Sequence, residues 1–287
     1  MFRLGVLSDI HGNLPALESV LKDANEQGIE WFIQAGDYTA GPQAVECIEI
    51  QRNLKGWMIL GNGEISLRRY RSGEAPAAWN TDQQFSLLRW DLNRLNPETL
   101  ELLDSLPEQE VITLPGCAPI RVVHGSPRNP YEEIFVEGSA RALKQALSDT
   151  IEAVLICGHT HIPWKVRWDG RLALNPGAVC GPLNGFKGTQ YAILSWEGGR
   201  WEVEHRALRY DLEAVRRAFV ESGLLKAGGA LARAFLLSIE SGRNVARFFL
   251  EHAYHLAEES QGCPVETIPD ETWELAEATF DWKGVVS

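Results

Sequence analysis

Apolar and polar positions along the first sixty residues follow two different periods. Phe2, Leu4, Val6 and Leu7 form a short run of β-formers, after which Leu14, Leu17, Val20 and Leu21 recur at helical spacing. Asn13 stands where an N-cap belongs and Gly28 where the helix should stop. With apolar runs at Trp31–Ile33 and Trp57–Leu60, residues 2–62 predict β-α-β-α-β. Residues 64–110 predict mainly helix: Phe85, Leu88 and Leu92 share a face, and Asn96-Pro97-Glu98 opens a second short helix. Ile151 to Ile156 reads as a buried strand. Strands are predicted around 111–114, 120–123, 152–157, 164–168, 171–174, 190–195 and 200–206, with Asp169-Gly170 and Glu197-Gly198-Gly199 as hairpin turns. From Asp211 the pattern turns helical. Leu212, Val215 and Phe219 fit one face, Leu231, Phe235, Leu236 and Ile239 another, and Val245, Phe248, Phe249, His252 and Leu256 extend it, with breaks at Gly228-Gly229 and Gly242. Trp79 and Trp90 are expected to pack over the sheet rather than to stack on a substrate base.

Chemistry enters at the ends of the strands. Five apolar runs finish in Asp, Asn or His beside glycine: Asp9-x-His11-Gly12, Gly36-Asp37, Gly61-Asn62, His124-Gly125 and Gly158-His159-Thr160-His161. Any one of these is an ordinary strand-ending turn. Five in one chain point instead to a metal site, because open sheets bind ligands beyond their strand ends and glycine lets backbone approach an ion closely. Two histidines at i and i+2 can offer neutral imidazole nitrogens to one cavity.

The order D-x-H, G-D, G-N, H-G, G-H-x-H resembles the calcineurin-like metallophosphoesterase superfamily, and within it the small bacterial and archaeal phosphodiesterase-like branch. The stretch Trp79 to Leu106 and the segment Asn175-Pro176-Gly177-Ala178-Val179 are similar to that branch too, and the resemblance spans roughly residues 1–240. It implies two metals, one held by Asp9, His11, Asp37 and His161, the other by Asp37, Asn62, His124 and His159, with Asp37 bridging. Catalytic roles fall on Asp37, Asn62 and His124. The predicted elements suggest a four-layer αββα sandwich of two stacked mixed sheets flanked by helices. Residues 1–210 would form that domain, and 211–287 a helical C-terminal extension packed on it, serving as support, lid or dimer contact.

These ligands form a mixed nitrogen and oxygen shell without thiolate, which suits manganese first, with iron, zinc, nickel or magnesium as alternatives. Two dications, two aspartates and a bridging hydroxide leave a centre of about +1 that attracts phosphate. Such a pair generates hydroxide at neutral pH and clamps an in-line displacement. Asn62 can also donate its amide N–H to a phosphoryl oxygen.

One departure concerns the leaving group. Many relatives read G-N-H-[DE], whereas this chain has Gly61-Asn62-Gly63-Glu64. A general acid worth about 10²–10⁴-fold is thus missing at Gly63, which predicts better turnover of activated esters. Glu64 either orients a ligand or is a solvated loop acid. Arg128, four residues past His124, either forks onto a substrate phosphate or pairs with Glu132 or Glu133. Asn184 and Lys187 sit in a glycine-rich loop placed to rim the site, although Pro182 is followed by Leu183 where relatives often carry arginine. His252 and His255, i and i+3 on a helix, are expected to be solvated or interfacial.

At 287 residues and 45% hydrophobic, the chain can bury a large core. No stretch approaches the roughly 20 apolar residues of a bilayer span, and Leu4 to Leu7 is too short for a signal peptide. Five scattered cysteines without a C-x-x-C pair read as reduced thiols of a cytoplasmic protein. Of the net charge of −12, −8 lies in Glu251–Ser287. An acidic chain without a basic stripe is poorly made to hold nucleic acid. The expected function is therefore hydrolysis of small phosphoesters, diesters before monoesters, by direct attack without a covalent enzyme intermediate. A phosphomonoesterase or dinucleoside-polyphosphate hydrolase is the alternative on the same site, and a non-catalytic scaffold the alternative of another class. A protein phosphatase is disfavoured by Gly63. A homo-oligomer through the C-terminal helices is the one protein partner anticipated, and no membrane is.

Overall fold

Strands β1 (Arg3–Leu7), β2 (Trp31–Gln34) and β3 (Lys55–Met58) alternate with helices α1 (Leu14–Glu26) and α2 (Ala44–Gln51) in a computed structural model that describes residues 2–137 and 141–286. Asn13 caps α1 by accepting from the Ala16 N–H at 3.2 Å, and Gly28 follows the helix at a φ of 70°. Helices α3 (Asn62–Arg71), α4 (Ser86–Arg94) and α5 (Pro97–Ser105) come next, the last capped by Asn96. Then follow β4 (Gln109–Ile112), β5 (Ile120–Val123), α6 (Arg141–Ser148), β6 (Val154–Ile156), β7 (Trp164–Trp168), β8 (Arg171–Asn175), β9 (Thr189–Glu197) and β10 (Arg200–Leu208).

The ten strands of the described residues form two five-stranded mixed sheets, ordered β10-β9-β1-β2-β3 and β4-β5-β6-β8-β7. Period-2 alternation decides which side chains meet. Leu4, Val6 and Ile33 of the first sheet pack on Ile120, Val122, Val154, Ile156 and Leu172 of the second. The outer face of the first sheet, through Leu7 and Phe32, meets Leu17, Val20 and Ile48 of α1 and α2. The second is covered by Leu143 and Leu147 of α6. This is the anticipated αββα sandwich. Both sheets turn the carboxyl ends of β1, β2, β3, β5 and β6 toward one edge.

Helices α7 (Leu212–Glu221), α8 (Leu224–Ser241), α9 (Val245–Gln261) and α10 (Asp270–Thr279) make the C-terminal extension. Val215, Phe219, Leu224 and Ile239 pack with Leu87 and Trp90 of α4 and with Cys180, which seats α7 and α8 on the sandwich. Phe249, Trp273, Ile268, Phe280 and Trp282 form a separate aromatic core. The expected break in α8 falls at Gly229 (φ 53°, ψ −134°), while Gly228 lets α8 pass close to Leu87.

Three sequence expectations are corrected. Ile151 is 90% exposed and precedes β6, whose buried run begins at Val154. The strand expected at 111–114 lies two residues earlier. Neither Trp79 nor Trp90 packs over the sheet: Trp79 stacks on Phe85 at 4.9 Å, and Trp90 joins the helical cluster between α4 and the extension. His252 is half-buried and bonded to the Thr279 hydroxyl at 2.9 Å, and the exposed His255 lies beside Glu259. Among the described residues, no helix is long and apolar enough to cross a membrane.

Candidate metal centre

The ends of β1, β2 and β6 deliver their polar residues through a sharply turned backbone. Asp9, His11, Asp37, His159 and His161 all have φ between 42° and 67°, the left-handed region that costs a side-chain-bearing residue about 1 kcal/mol or more. Together they are five of the seven non-glycine residues at positive φ among those described. Tertiary hydrogen bonds hold them there. The loop after β1 is zipped to the loop after β2 by Asp9 N–H to Gly36 O, His11 N–H to Asp37 O and Gly12 N–H to Tyr38 O, all within 3.0 Å. The His159 N–H donates to Asp9 Oδ2 at 3.1 Å, tying the second sheet to the first.

All seven predicted ligands converge. Ligand atoms of Asp9, His11 and His161 lie within 4.8 Å of one another, as do those of Asp37, His124 and His159. Asp37 Oδ2 stands between the groups, 3.6 Å from His11 Nε2 and 3.4 Å from His124 Nε2, where a bridging carboxylate belongs. Asn62 Oδ1 is 2.9 Å from His124 Nε2. The outward nitrogens fix the imidazole tautomers. Nδ1 of His11, His124 and His161 faces the carbonyl oxygens of Thr39, Ala35 and Gly181 at 2.9, 2.7 and 3.0 Å. Nδ1 must therefore carry a proton, which leaves Nε2 as the nitrogen each ring can turn to a metal.

That arrangement demands positive charge. His11 Nε2 and His161 Nε2 are 3.3 Å apart, and Asp9 Oδ1 is buried without a hydrogen-bond partner. An orphaned buried carboxylate oxygen beside converging lone pairs is costly unless a cation lies among them. Burial would raise the Asp9 carboxyl, yet His161 and His124 beside it hold it down to about 2. Burial would likewise depress His124, but Asp37 and Asp9 push it up to about 10. His159 is lowered by burial and by His124, so it offers a neutral nitrogen. The residues fit a pair of divalent ions. Nearby thiols do not compete, since burial pushes Cys180 up to about 12.

Glu64 is not a solvated loop acid; it takes the other alternative and orients a ligand, by holding the backbone that carries Asp37. It is 2% exposed, and its carboxylate accepts from five donors: Oε2 from the Asp37 and Gly61 N–H groups, and Oε1 from the Tyr38 and Thr39 N–H groups and the Thr39 hydroxyl, at 2.8–3.0 Å. One side chain thereby fastens the loop bearing Asp37 to the start of α3, whose first residue is Asn62. Gly61 permits the contact, because a Cβ there would overlap Asp37 Oδ1. The signal was present in the sequence, as a glutamate three residues after a helix start is the second half of a capping box.

Residues 2–199 match the model of the calcineurin-like phosphoesterase superfamily domain. The chain belongs to this superfamily. An uncharacterized protein of Methanocaldococcus jannaschii is 27% identical over 243 residues, covering 77% of this chain and 93% of its own length. A phosphodiesterase of the same organism is 26% identical over 183 residues, covering 64% and 87%. Among solved structures, a metallophosphoesterase from Sphaerobacter thermophilus superposes with a TM-score of 0.63 at 27% identity, over 79% of this chain and 99% of its own.

Within this calcineurin-like site, Gly63 puts its N–H 2.9 Å from Asp37 Oδ1. A Cβ at that position would lie 3.2 Å from the same oxygen, so a histidine here would crowd the Asp37 carboxylate. Arg128 takes the surface alternative: it pairs with Glu132 and Asp149 and stands outside the cavity at the ligands. Asn184 and Lys187 are exposed and do not line that cavity; Gly181 and Leu183 of the same loop do. Sequence reasoning missed the opposite side of the cavity, made by Leu231, Phe235 and Leu250 of the extension.

Glu64→Gln would turn an amide N–H toward the backbone donors while leaving every ligand in place. Metal affinity should fall about 10–100-fold, read by competition against a chelator. Unchanged affinity would show that the ligand loops hold themselves.

Proposed function

We propose that the chain is a two-metal phosphoesterase that hydrolyses diesters of small phosphorylated molecules in preference to monoesters. The observation that carries this reading is the lining of the cavity. About 410 Å³ in volume, it is bordered by His11, Asp37, Asn62, His159, His161 and Glu133, and no lysine or arginine is among the described residues that line it. The negative charge of a substrate is then met by the centre alone, since Glu133 at the mouth is already paired with Arg247. A diester brings one negative charge, a monoester up to two, and a dinucleoside polyphosphate more, so the diester is the best tolerated. The kinship with an archaeal phosphodiesterase supports the same choice.

One ion would lie among Asp9, His11, Asp37 and His161 and the other among Asp37, Asn62, His124 and His159, and the bound pair would polarise the phosphoryl group and make water nucleophilic at neutral pH. Manganese is the ion we favour for this shell. The chain does the remaining work. Asp37 spans both groups, and the Nδ1–H bonds keep His11, His124 and His161 from rotating. Asn62 turns its oxygen inward, which leaves its amide N–H₂ to donate to a phosphoryl oxygen at the N-terminus of α3, where backbone dipoles also favour an anion. No imidazole protonates the leaving group from position 63, so poor leaving groups depart slowly. A scaffold that had given up catalysis would have no reason to gather seven ligand residues, five of them in strained backbone.

The test is a screen of manganese-loaded protein on aryl phosphodiesters of rising leaving-group pKa, beside aryl monophosphates and dinucleoside polyphosphates. Diesters should lead by about 10-fold or more in kcat/KM, with rates falling as leaving-group pKa rises, and Asp37→Asn should abolish every activity. An inert wild type with manganese, iron, zinc, nickel and magnesium, or an active Asp37→Asn, would overturn the enzyme. A monoester preference would overturn the diester.

A further inference from the structure

We propose that helices α8 and α9 form the specificity wall of this centre and select phosphodiesters bearing an uncharged, apolar ester group of about aryl size; the claim rests on the phosphodiesterase reading above. Leu231, Phe235 and Ser238 recur at i, i+4 and i+7 on α8, and Ala246 and Leu250 at i and i+4 on α9, so each helix turns one stripe toward the cavity. Leu183 continues the apolar surface from the sandwich side. Phe235 meets the His11 imidazole in a T-shaped contact, with centroids 5.3 Å apart, and Phe219 packs against it at 6.1 Å. An ester group of a phosphate held at the ligands would therefore lie against this ring.

The wall offers little to a polar group. The Ser238 hydroxyl is spent inside the helices, donating to Ala234 O at 2.9 Å and accepting from the Ala246 N–H at 3.1 Å. Asn244 Oδ1 caps α9 by accepting from the Arg247 N–H. Two of the cations on these helices are engaged elsewhere: Arg233 lies over the Trp282 ring at 4.2 Å, and Arg247 pairs with Glu133 and Glu251. The Arg247–Glu133 pair, at 2.9 Å, also ties α9 to the loop that carries Glu133 at the cavity. A nucleobase or sugar placed here would exchange hydrogen bonds to water for apolar contact, which disfavours it. An aryl or branched alkyl group gains from the same surface.

The experiment compares two diesters with the same leaving group, phenyl 4-nitrophenyl phosphate and methyl 4-nitrophenyl phosphate, on manganese-loaded full-length protein. Wild type should favour the phenyl ester by about 10-fold or more in kcat/KM, mostly through KM. Phe235→Ala and Leu250→Ser should each bring that ratio below about 3-fold, and Leu250→Arg should shift preference toward a diester whose second group is a nucleotide. Both rates come from one preparation, so any loss of folded protein cancels in the ratio. A wild-type ratio near one, or a ratio that none of the variants moves, overturns the wall while leaving the phosphodiesterase standing. Hydrolysis of neither ester overturns both.

Discussion

Acceptor atoms gathered 3.3 to 3.6 Å apart in a buried space repel unless a proton or a metal cation lies among them, and that constraint governs this structure. The paired histidine nitrogens, the orphaned Asp9 oxygen and the Asp37 carboxylate between His11 and His124 are each unfavourable alone. The fold gathers them by spending strain. Five ligand residues in left-handed backbone cost about 1 kcal/mol or more apiece. Their sum is a sizeable part of the about 5–15 kcal/mol by which a folded domain is stable. What opposes it is a set of hydrogen bonds running between loops rather than within them, with Glu64 at the centre.

Glu64 also explains why the site can do without a side chain at position 63. The helix that starts at Asn62 is anchored by its third residue to the loop that carries Asp37, and Gly63 gives only its backbone N–H to the same aspartate. Position 63, which supplies an imidazole in many relatives, contributes only its backbone N–H here. The opposite wall belongs to the C-terminal helices, which are seated on α4 by Val215, Phe219 and Leu224 and so hold Phe235 beside His11 as part of one packed body.

The candidate ligand residues were legible in the sequence because each lies in a short segment that follows an apolar strand and contains glycine, a local pattern that survives without knowledge of the fold. The two sheets were legible from period-2 runs and hairpin turns, and the helix caps at Asn13 and Asn96 from their residue types. What was not legible depends on contacts distant in sequence. Ile151 reads as strand by composition, but its neighbours leave it in solvent. Arg128 stands near a ligand in sequence, yet Asp149, twenty-one residues on, claims it. The apolar stripe of α8 was visible as a helix face, but nothing local distinguishes a face that meets a core from one that meets an active site.

The central claim is that these seven residues hold two ions with Asp37 between them. Anomalous scattering from crystals soaked in manganese tests it directly. Two peaks per chain are predicted, about 3.5–4 Å apart, with a carboxylate oxygen of Asp37 at coordination distance from both. A single peak at saturating manganese, or two peaks that Asp37 does not join, would contradict the account.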